Sequence, residues 1–299
     1  MSTPVLTDPA SAAPEPQQTT APRRHRWRPR VVIPLTIIIG FALIGLIGPI
    51  LLPYDPTASQ VADRLRPPGS TLTDGSVAWL GTDQVGHPLL QQLVAGARIS
   101  LLVAFATVLI GGAIGLLLGM VGGYFGRWID AVIGRIGDIQ LAFPSILLAI
   151  LIAGVLGPSV INVIITLAVT RWVVFARIVR ASTLVASSSE SVDGARVIGV
   201  GNPRILRRYI LPETIGPLLV AATVQVGQMV IAEASLSFLG LGVPVSQASW
   251  GSTIANGRDY LGTAWWISTF PGLFMVVLVI AVGVLGDAFH HDSDVKVAM

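Results

Sequence analysis

The chain has 299 residues, of which 53% are hydrophobic and only 12% charged; this is too apolar for a water-soluble globule and is typical of a polytopic membrane protein. The net charge of +3 comes from arginine, because Lys296 is the only lysine, and this excludes a P-loop nucleotide site, whose glycine-rich cradle needs a lysine. The absence of cysteine excludes disulfides, thiolate catalysis and cysteine-ligated metal or iron–sulfur sites.

The N-terminal residues 1–30 predict a disordered cytoplasmic tail, because they are rich in Ala, Pro, Thr and Gln and have little to bury. Five arginines between Arg23 and Arg30 precede the first apolar segment, residues 31–53. This segment is too long for a signal peptide and lacks a small-residue cleavage site. We therefore expect a retained first transmembrane helix with its basic flank in the cytoplasm.

The remaining chain predicts an extracytoplasmic loop at residues 54–98, a five-helix core at residues 99–288 and a cytoplasmic tail at residues 289–299. The fold class is therefore an all-α membrane protein with six transmembrane helices. The five predicted core spans are residues 101–124, 141–155, 160–174, 215–238 and 264–285. Six glycines in the first of these spans favour close helix packing at the centre of a bundle.

A short charged elbow is predicted after the second span, at residues 127–138. Arg135 and Asp138 are three residues apart and can share a helix face. The elbow is either a solvated turn at the membrane surface, which we favour, or a support for the loop that follows the fourth span.

That loop, residues 187–212, is the longest polar interruption in the C-terminal half, and it predicts two short helices separated by glycines. Ser187 with Glu190 fits a capping box, and Asn202 fits a second N-cap. The second helix is expected to stop near Leu211, because Pro212 restricts the residue before it. This second helix has two different sides. The apolar side consists of Ile205, Leu206, Tyr209 and Ile210, and the basic side consists of Arg204, Arg207 and Arg208.

At these residues the chain resembles the membrane-spanning permease subunits of binding-protein-dependent ABC importers. Their cytoplasmic signature is EAA, three residues, Gly, nine residues and then I-x-L-P. The matching positions here are Asp193, Gly194, Ala195, Gly199, Tyr209, Leu211 and Pro212. Asp193 keeps the acidic charge of the signature, whereas Gly194 in place of Ala weakens the first helix by roughly 1 kcal/mol.

Three further strings resemble the C-type subunits of the dipeptide, oligopeptide and nickel branch of this family. Residues 79–88 followed by 96–101 look like LGTDxxGRD and GARxSL, with His87-Pro88 in place of the usual Arg-Asp. Ala142-Phe143-Pro144 and residues 232–242 are similar to the third and fifth helices of that branch.

The resemblance implies a type I importer permease fold in a bacterial cytoplasmic membrane. It implies a B-type permease partner, two ABC ATPase subunits and an extracytoplasmic substrate-binding protein, with ATP and Mg bound by the ATPases and no cofactor on this chain. Coupling to the ATPases is assigned to the loop: to Asp193, Gly194, Ala195, Gly199, Ile205, Leu206, Tyr209, Ile210, Leu211 and Pro212. The implied cargo is a dipeptide or oligopeptide, with nickel, another metal chelate or a haem-like compound as the alternative.

The distribution of basic residues predicts orientation independently of the resemblance. Fifteen of the 19 basic residues fall in the predicted cytoplasmic pieces and four in the outer ones. This asymmetry places both termini inside, and with six spans it also places the loop of residues 187–212 inside.

The sequence gives less support to other classes of function. A helix-turn-helix DNA reader needs a soluble domain, and the flanking spans argue against one and against a nucleic-acid partner. His290-His291 lack metal-ligand spacing, and no catalytic motif is present. A gradient-driven secondary transporter would rely on intramembrane ionisable groups. Glu233 is the one acid placed inside a span, and it is either part of the pathway or outer gate or a hydrogen-bonded structural acid.

Overall fold

The computed structural model describes residues 29–244 and 246–297, and the side chains of Arg30 and residues 289–297 are not among those described. The predicted tail of residues 1–28 and the side chains of His290 and His291 therefore lie outside it. The described chain is mostly α-helical. The long helices are α1 (Pro29–Leu51), α2 (Leu89–Phe125), α3 (Arg127–Leu141), α4 (Ser145–Leu156), α5 (Val160–Ser187), α8 (Leu211–Phe238) and α10 (Trp266–Val297). The short ones are α6 (Glu190–Val197), α7 (Asn202–Ile205) and α9 (Trp250–Gly257).

Five helical stretches in the described residues are long and apolar enough to cross a membrane: α1, α2, α5, the continuous stretch Asn202–Phe238 and α10. A sixth crossing is formed if α3 and α4 are counted as one span, bent by 87°. The predicted all-α membrane fold is confirmed. The predicted third span, residues 141–155, corresponds mainly to the 12-residue helix α4, which is long enough to cross a membrane only together with α3. Pro144 explains the break between α3 and α4, because it restricts the residue before it and cannot continue a helix.

The second span packs at the centre of the bundle, as its glycines predict. Helix α2 lies along α5 over most of its length. A Cβ atom at Gly119 would lie 2.6 Å from the carbonyl oxygen of Ala176, so only a residue without a side chain permits this approach. Lipid supplies no hydrophobic drive between helices, and close backbone contact therefore replaces it.

Several predicted helix boundaries are wrong, because the helices are longer than the predicted spans. Helix α2 begins at Leu89 and not near residue 101, so the last ten residues of the predicted loop 54–98 are helical. Helix α5 continues to Ser187, and the predicted elbow is the 15-residue helix α3. Helix α10 continues past residue 288 to Val297. Polar residues extend these helices beyond the apolar stretch that a hydropathy reading detects.

Pro212 does not end a helix. The five residues Leu206–Ile210 form a π-helical turn between α7 and α8, and Pro212 lies in the first turn of α8. A proline inside a regular helix lacks one N–H and clashes with the carbonyl four residues earlier. The wider π turn relieves that conflict, so the chain runs from Asn202 to Phe238 as one continuous helical stretch.

The segment between α1 and α2 is a folded cap that is hydrogen-bonded to the bundle. It contains one hairpin of two-residue strands, β1 (Ser70–Thr71) paired antiparallel with β2 (Val77–Ala78). Trp266 of α10 donates its indole N–H to the carbonyl of Thr82 at 3.1 Å. Buried Asp83 accepts from the His87 backbone N–H at 2.8 Å and from the Gln92 amide at 2.6 Å. Thr82 and Asp83 therefore connect this segment to α10 and to α2.

Candidate functional site

The polar loop begins at the end of α5 with a helix start that differs from the predicted one. Ser189 is the N-cap of α6, and its side chain makes no capping hydrogen bond, whereas Ser187 is still part of α5. The second N-cap is Gly201 and not Asn202. Asn202 instead accepts a hydrogen bond from the hydroxyl of Tyr124 at 3.0 Å, which ties the loop to the end of α2. The capping-box prediction is wrong because α5 is longer than its apolar pattern suggests.

The turn between α6 and α7 is built on Gly199, whose φ is +80°. The N–H of Val200 donates to the carbonyl of Ala195 at 2.9 Å, and that of Gly199 donates to the carbonyl of Arg196 at 3.0 Å. These two bonds form a Schellman motif, which needs a residue in the left-handed region at this position. The predicted sharp turn with a positive φ at Gly199 is confirmed.

The apolar face of the second short helix is turned inward. Ile205 and Ile210 are fully buried, and Leu206 and Tyr209 pack partly buried beside them. Their cluster also contains Met120 of α2, Val179 and Ala186 of α5, and Val192 and Ala195 of α6. We correct the expectation for Ile205 and Ile210: they anchor the loop to the bundle, and their side chains are not available to a partner. Leu211, the first residue of α8, also packs against this cluster, and Pro212 follows it.

The surface that the loop does present is the C-terminal end of α6. Val197 and Ile198 are 87% and 78% exposed, although both are large apolar residues. Gly194 is also exposed, and nothing lies within 4 Å of where its Cβ would be. Asp193 pairs with Arg196 at 3.0 Å on the same face. An exposed apolar patch bordered by charged residues is typical of a protein–protein contact site.

Two ion pairs connect α3 to the C-terminal half of α5, the helix that leads into this loop. Asp130 accepts two hydrogen bonds from Arg180, and Asp138 lies 2.7 Å from Arg177. The acids of the predicted elbow thus pair across to the helix that leads into the loop. Arg135 and Asp138 do lie on one helix, but the ion-pair partner of Asp138 is on α5.

Glu233 is fully buried in α8, where it joins three helices. Its carboxylate accepts hydrogen bonds from Ser237 at 2.6 Å and from Ser100 of α2 at 2.9 Å. The Ser100 hydroxyl also accepts from the backbone N–H of Trp250, the first residue of α9, at 3.4 Å. The side chain is a hydrogen-bonded acid inside the bundle, and its role in the pathway or outer gate stays a prediction.

One functional candidate was missed by the sequence reading. Arg171 was assigned to the cytoplasmic extension of the fourth span, but α5 runs unbroken from Val160 to Ser187 and places it near the middle. Its guanidinium contacts the amide oxygen of Gln228 on α8 at 3.4 Å. Counting from the Gly157-Pro158 turn, where the outer end of the span begins, would have indicated this depth.

Among the described residues, no group of three or more His, Cys, Asp or Glu side chains is placed to hold a metal ion.

Comparison with known proteins gives consistent matches. Residues 111–296 match the family described as "Binding-protein-dependent transport system inner membrane component". The chain is 35% identical to the dipeptide transport system permease protein DppC of Alkalihalophilus pseudofirmus, over 98% of this chain and 97% of that protein. It is 36% identical to the di/tripeptide transport system permease protein DppC of Pseudomonas aeruginosa, over 88% of this chain and 86% of that protein.

Two further matches are a relative whose name gives a different cargo and a solved structure with a similar fold. The glutathione transport system permease protein GsiD of Pectobacterium atrosepticum is 34% identical over 92% of this chain and 91% of that protein. An inward-facing structure of the MetNI methionine ABC transporter has a TM-score of 0.56 at 23% identity, covering 67% of this chain and 95% of that one. This structural likeness confirms the type I permease fold.

Proposed function

The chain belongs to the family of binding-protein-dependent transport system inner membrane components, and from that premise we propose that it is a permease subunit of an ATP-driven importer of short peptides. The names of the two DppC relatives specify a dipeptide and a di- or tripeptide cargo. The high coverage of both proteins supports a cargo of the same class here. Nickel, another metal chelate or a haem-like compound is the alternative that a transport assay would reveal.

The single observation that carries the coupling role is the exposed tip of α6. Val197 and Ile198 project from the end of the bundle on a turn set by a Schellman motif, while Ile205 and Ile210 hold the adjacent segment in the core. Such a contact fits a partner with an apolar groove. The family requires an ATPase, and this chain lacks the P-loop lysine to supply its own, so two separate ATPase subunits are the proposed partners.

Movement of this tip would be transmitted as a rigid displacement. The continuous helical stretch from Asn202 to Phe238 has 37 residues, which corresponds to about 55 Å. It starts at the loop, and its buried Ile205 and Ile210 pack with residues of α2 and α5. Closure of the ATPases on ATP would therefore swing α5 and α8 together between inward-open and outward-open arrangements. On this proposal the chain has no catalytic residue of its own.

The remaining parts of the proposal concern assembly and orientation. A B-type permease would complete the pathway, and an extracytoplasmic substrate-binding protein would deliver cargo to the face that carries the folded cap. The excess of basic residues on one side supports an inner-membrane protein with both termini in the cytoplasm.

The test is uptake by the complete transporter in liposomes. The chain is purified with its partner permease and ATPases and supplied with the binding protein and a labelled dipeptide. We expect uptake that requires ATP and binding protein and is unchanged when ionophores collapse ion gradients. Uptake driven by an ion gradient without ATP would refute the proposal, and ATP-driven uptake of a nickel chelate but no peptide would refute the cargo assignment.

A further inference from the structure

The surface shared by α5 and α8 carries a charged group, Arg171, that has no charged partner among the described residues. Arg171 lies eleven residues after Val160, about 16 Å below the outer end of α5. Gln228 lies ten residues before Phe238, about 15 Å below the outer end of α8. Since the hydrocarbon core is about 30 Å thick, both side chains are near its midplane.

Arg171 differs from the arginines below it on the same helix. Arg177 and Arg180 pair with Asp138 and Asp130. Within the described residues Arg171 has no carboxylate within salt-bridge distance, and its polar contact is the neutral amide of Gln228 at 3.4 Å. The amide oxygen of Gln228 therefore positions the guanidinium but does not neutralise its charge.

This surface is not closed within the single chain. Gln228 is exposed and Arg171 is only partly buried, although four of their neighbours along the same helices are apolar. Those neighbours are Ile164, Ile178, Val224 and Ile231. An ionised side chain at the bilayer midplane is costly against lipid and is found facing a bundle interior or a water-filled cavity. The face of α5 and α8 that carries this pair must therefore meet water or another subunit.

From this geometry we propose that Arg171, positioned by Gln228, lines the translocation pathway and binds the free carboxylate of the peptide cargo as it passes. A guanidinium presents paired N–H donors that match a carboxylate, and a weakly held acceptor such as an amide is readily exchanged for a charged one. The inference rests on the proposed peptide cargo, and it adds the group on this chain that recognises a feature common to all peptides with a free C-terminus.

The first experiment tests the pathway surface without any cargo. Gln228→Cys is introduced into this cysteine-free chain in the complete transporter in liposomes, and labelling by water-soluble anionic and cationic methanethiosulfonates is timed. We compare the ratio of the anionic to the cationic labelling rate. Because Arg171 is a neighbouring cation, this ratio should be about fivefold higher than for the same cysteine in an Arg171→Gln background. Arg177→Gln is the matched control, because its charge is already paired, and it should leave the ratio unchanged.

The second experiment tests the ligand. Arg171→Gln should lower uptake of a dipeptide about tenfold more than uptake of its C-terminal amide, using an amide that the binding protein is first shown to bind. Arg171→Lys should restore most of the loss. Equal effects on both peptides would overturn carboxylate recognition, and labelling of the Gln228→Cys variant only by membrane-permeant reagents would overturn the pathway surface. Failure of the unmodified transporter to import peptides would instead refute the proposed cargo, while the labelling result would still decide the surface.

Discussion

Replacing Gly199 tests whether the turn between α6 and α7 transmits the movement of the ATPases. Gly199 has φ +80°, and nothing lies within 4 Å of where its Cβ would be, so a side chain is opposed by backbone strain and not by crowding. A β-branched residue in the left-handed region costs roughly 2 kcal/mol, which is about a 30-fold shift toward other turn conformations. Gly199→Val should therefore open the two hydrogen bonds of the Schellman motif and misdirect the tip at Val197 and Ile198.

The assay is ATP-dependent uptake, ATP hydrolysis and ATPase-subunit retention measured on one purified sample in liposomes. We expect Gly199→Val to insert normally, because no spanning helix is changed, but to lose at least about 90% of uptake. Gly199→Asn is the matched control, because Asn tolerates the left-handed region, and it should keep most activity. If Gly199→Val retained its partners and transported normally, the coupling role of this turn would have to be given up.

Three further predictions address topology, packing and the buried acid. Single cysteines at Val61 and Val197, which are 72% and 87% exposed, should label from opposite sides of the membrane with an impermeant thiol reagent, and same-side labelling would contradict the orientation. Gly119→Ala should destabilise the chain by about 1–3 kcal/mol through overpacking against α5, whereas Gly112→Ala, with open space at its Cβ, should leave the thermal unfolding midpoint in detergent almost unchanged. Glu233→Gln should impair uptake while leaving assembly intact, and wild-type uptake would assign Glu233 a purely structural role.

Local patterns in the chain predicted the features that depend on local chemistry. The turn at Gly199 follows from glycine and asparagine between two helical segments, and the close packing of α2 follows from its row of small residues. Helix ends were predicted less well. Helices α2 and α5 extend beyond their apolar segments because polar residues outside the hydrocarbon core continue the same hydrogen-bonded backbone.

Amphipathic spacing correctly grouped Ile205 and Ile210 on one face, but it could not say what that face meets. Their partners are Met120 and Val179, from helices far away in the chain, and only tertiary packing brings these residues together. The same holds for the pairing of Asp138 with Arg177 of α5, whereas the sequence predicted only that Asp138 shares a helix face with Arg135.

The amino-acid sequence by itself determined that this is a helical membrane protein without a P-loop, because hydropathy, chain length and the position of the single lysine are properties of composition and order. Tertiary structure alone decided which surfaces remain free. It buried Ile205 and left Val197 exposed, and it placed Arg171, near the middle of α5, beside Gln228 of α8. Exposure and pairing depend on how α2, α5 and α8 pack, and residues distant in sequence set that packing together.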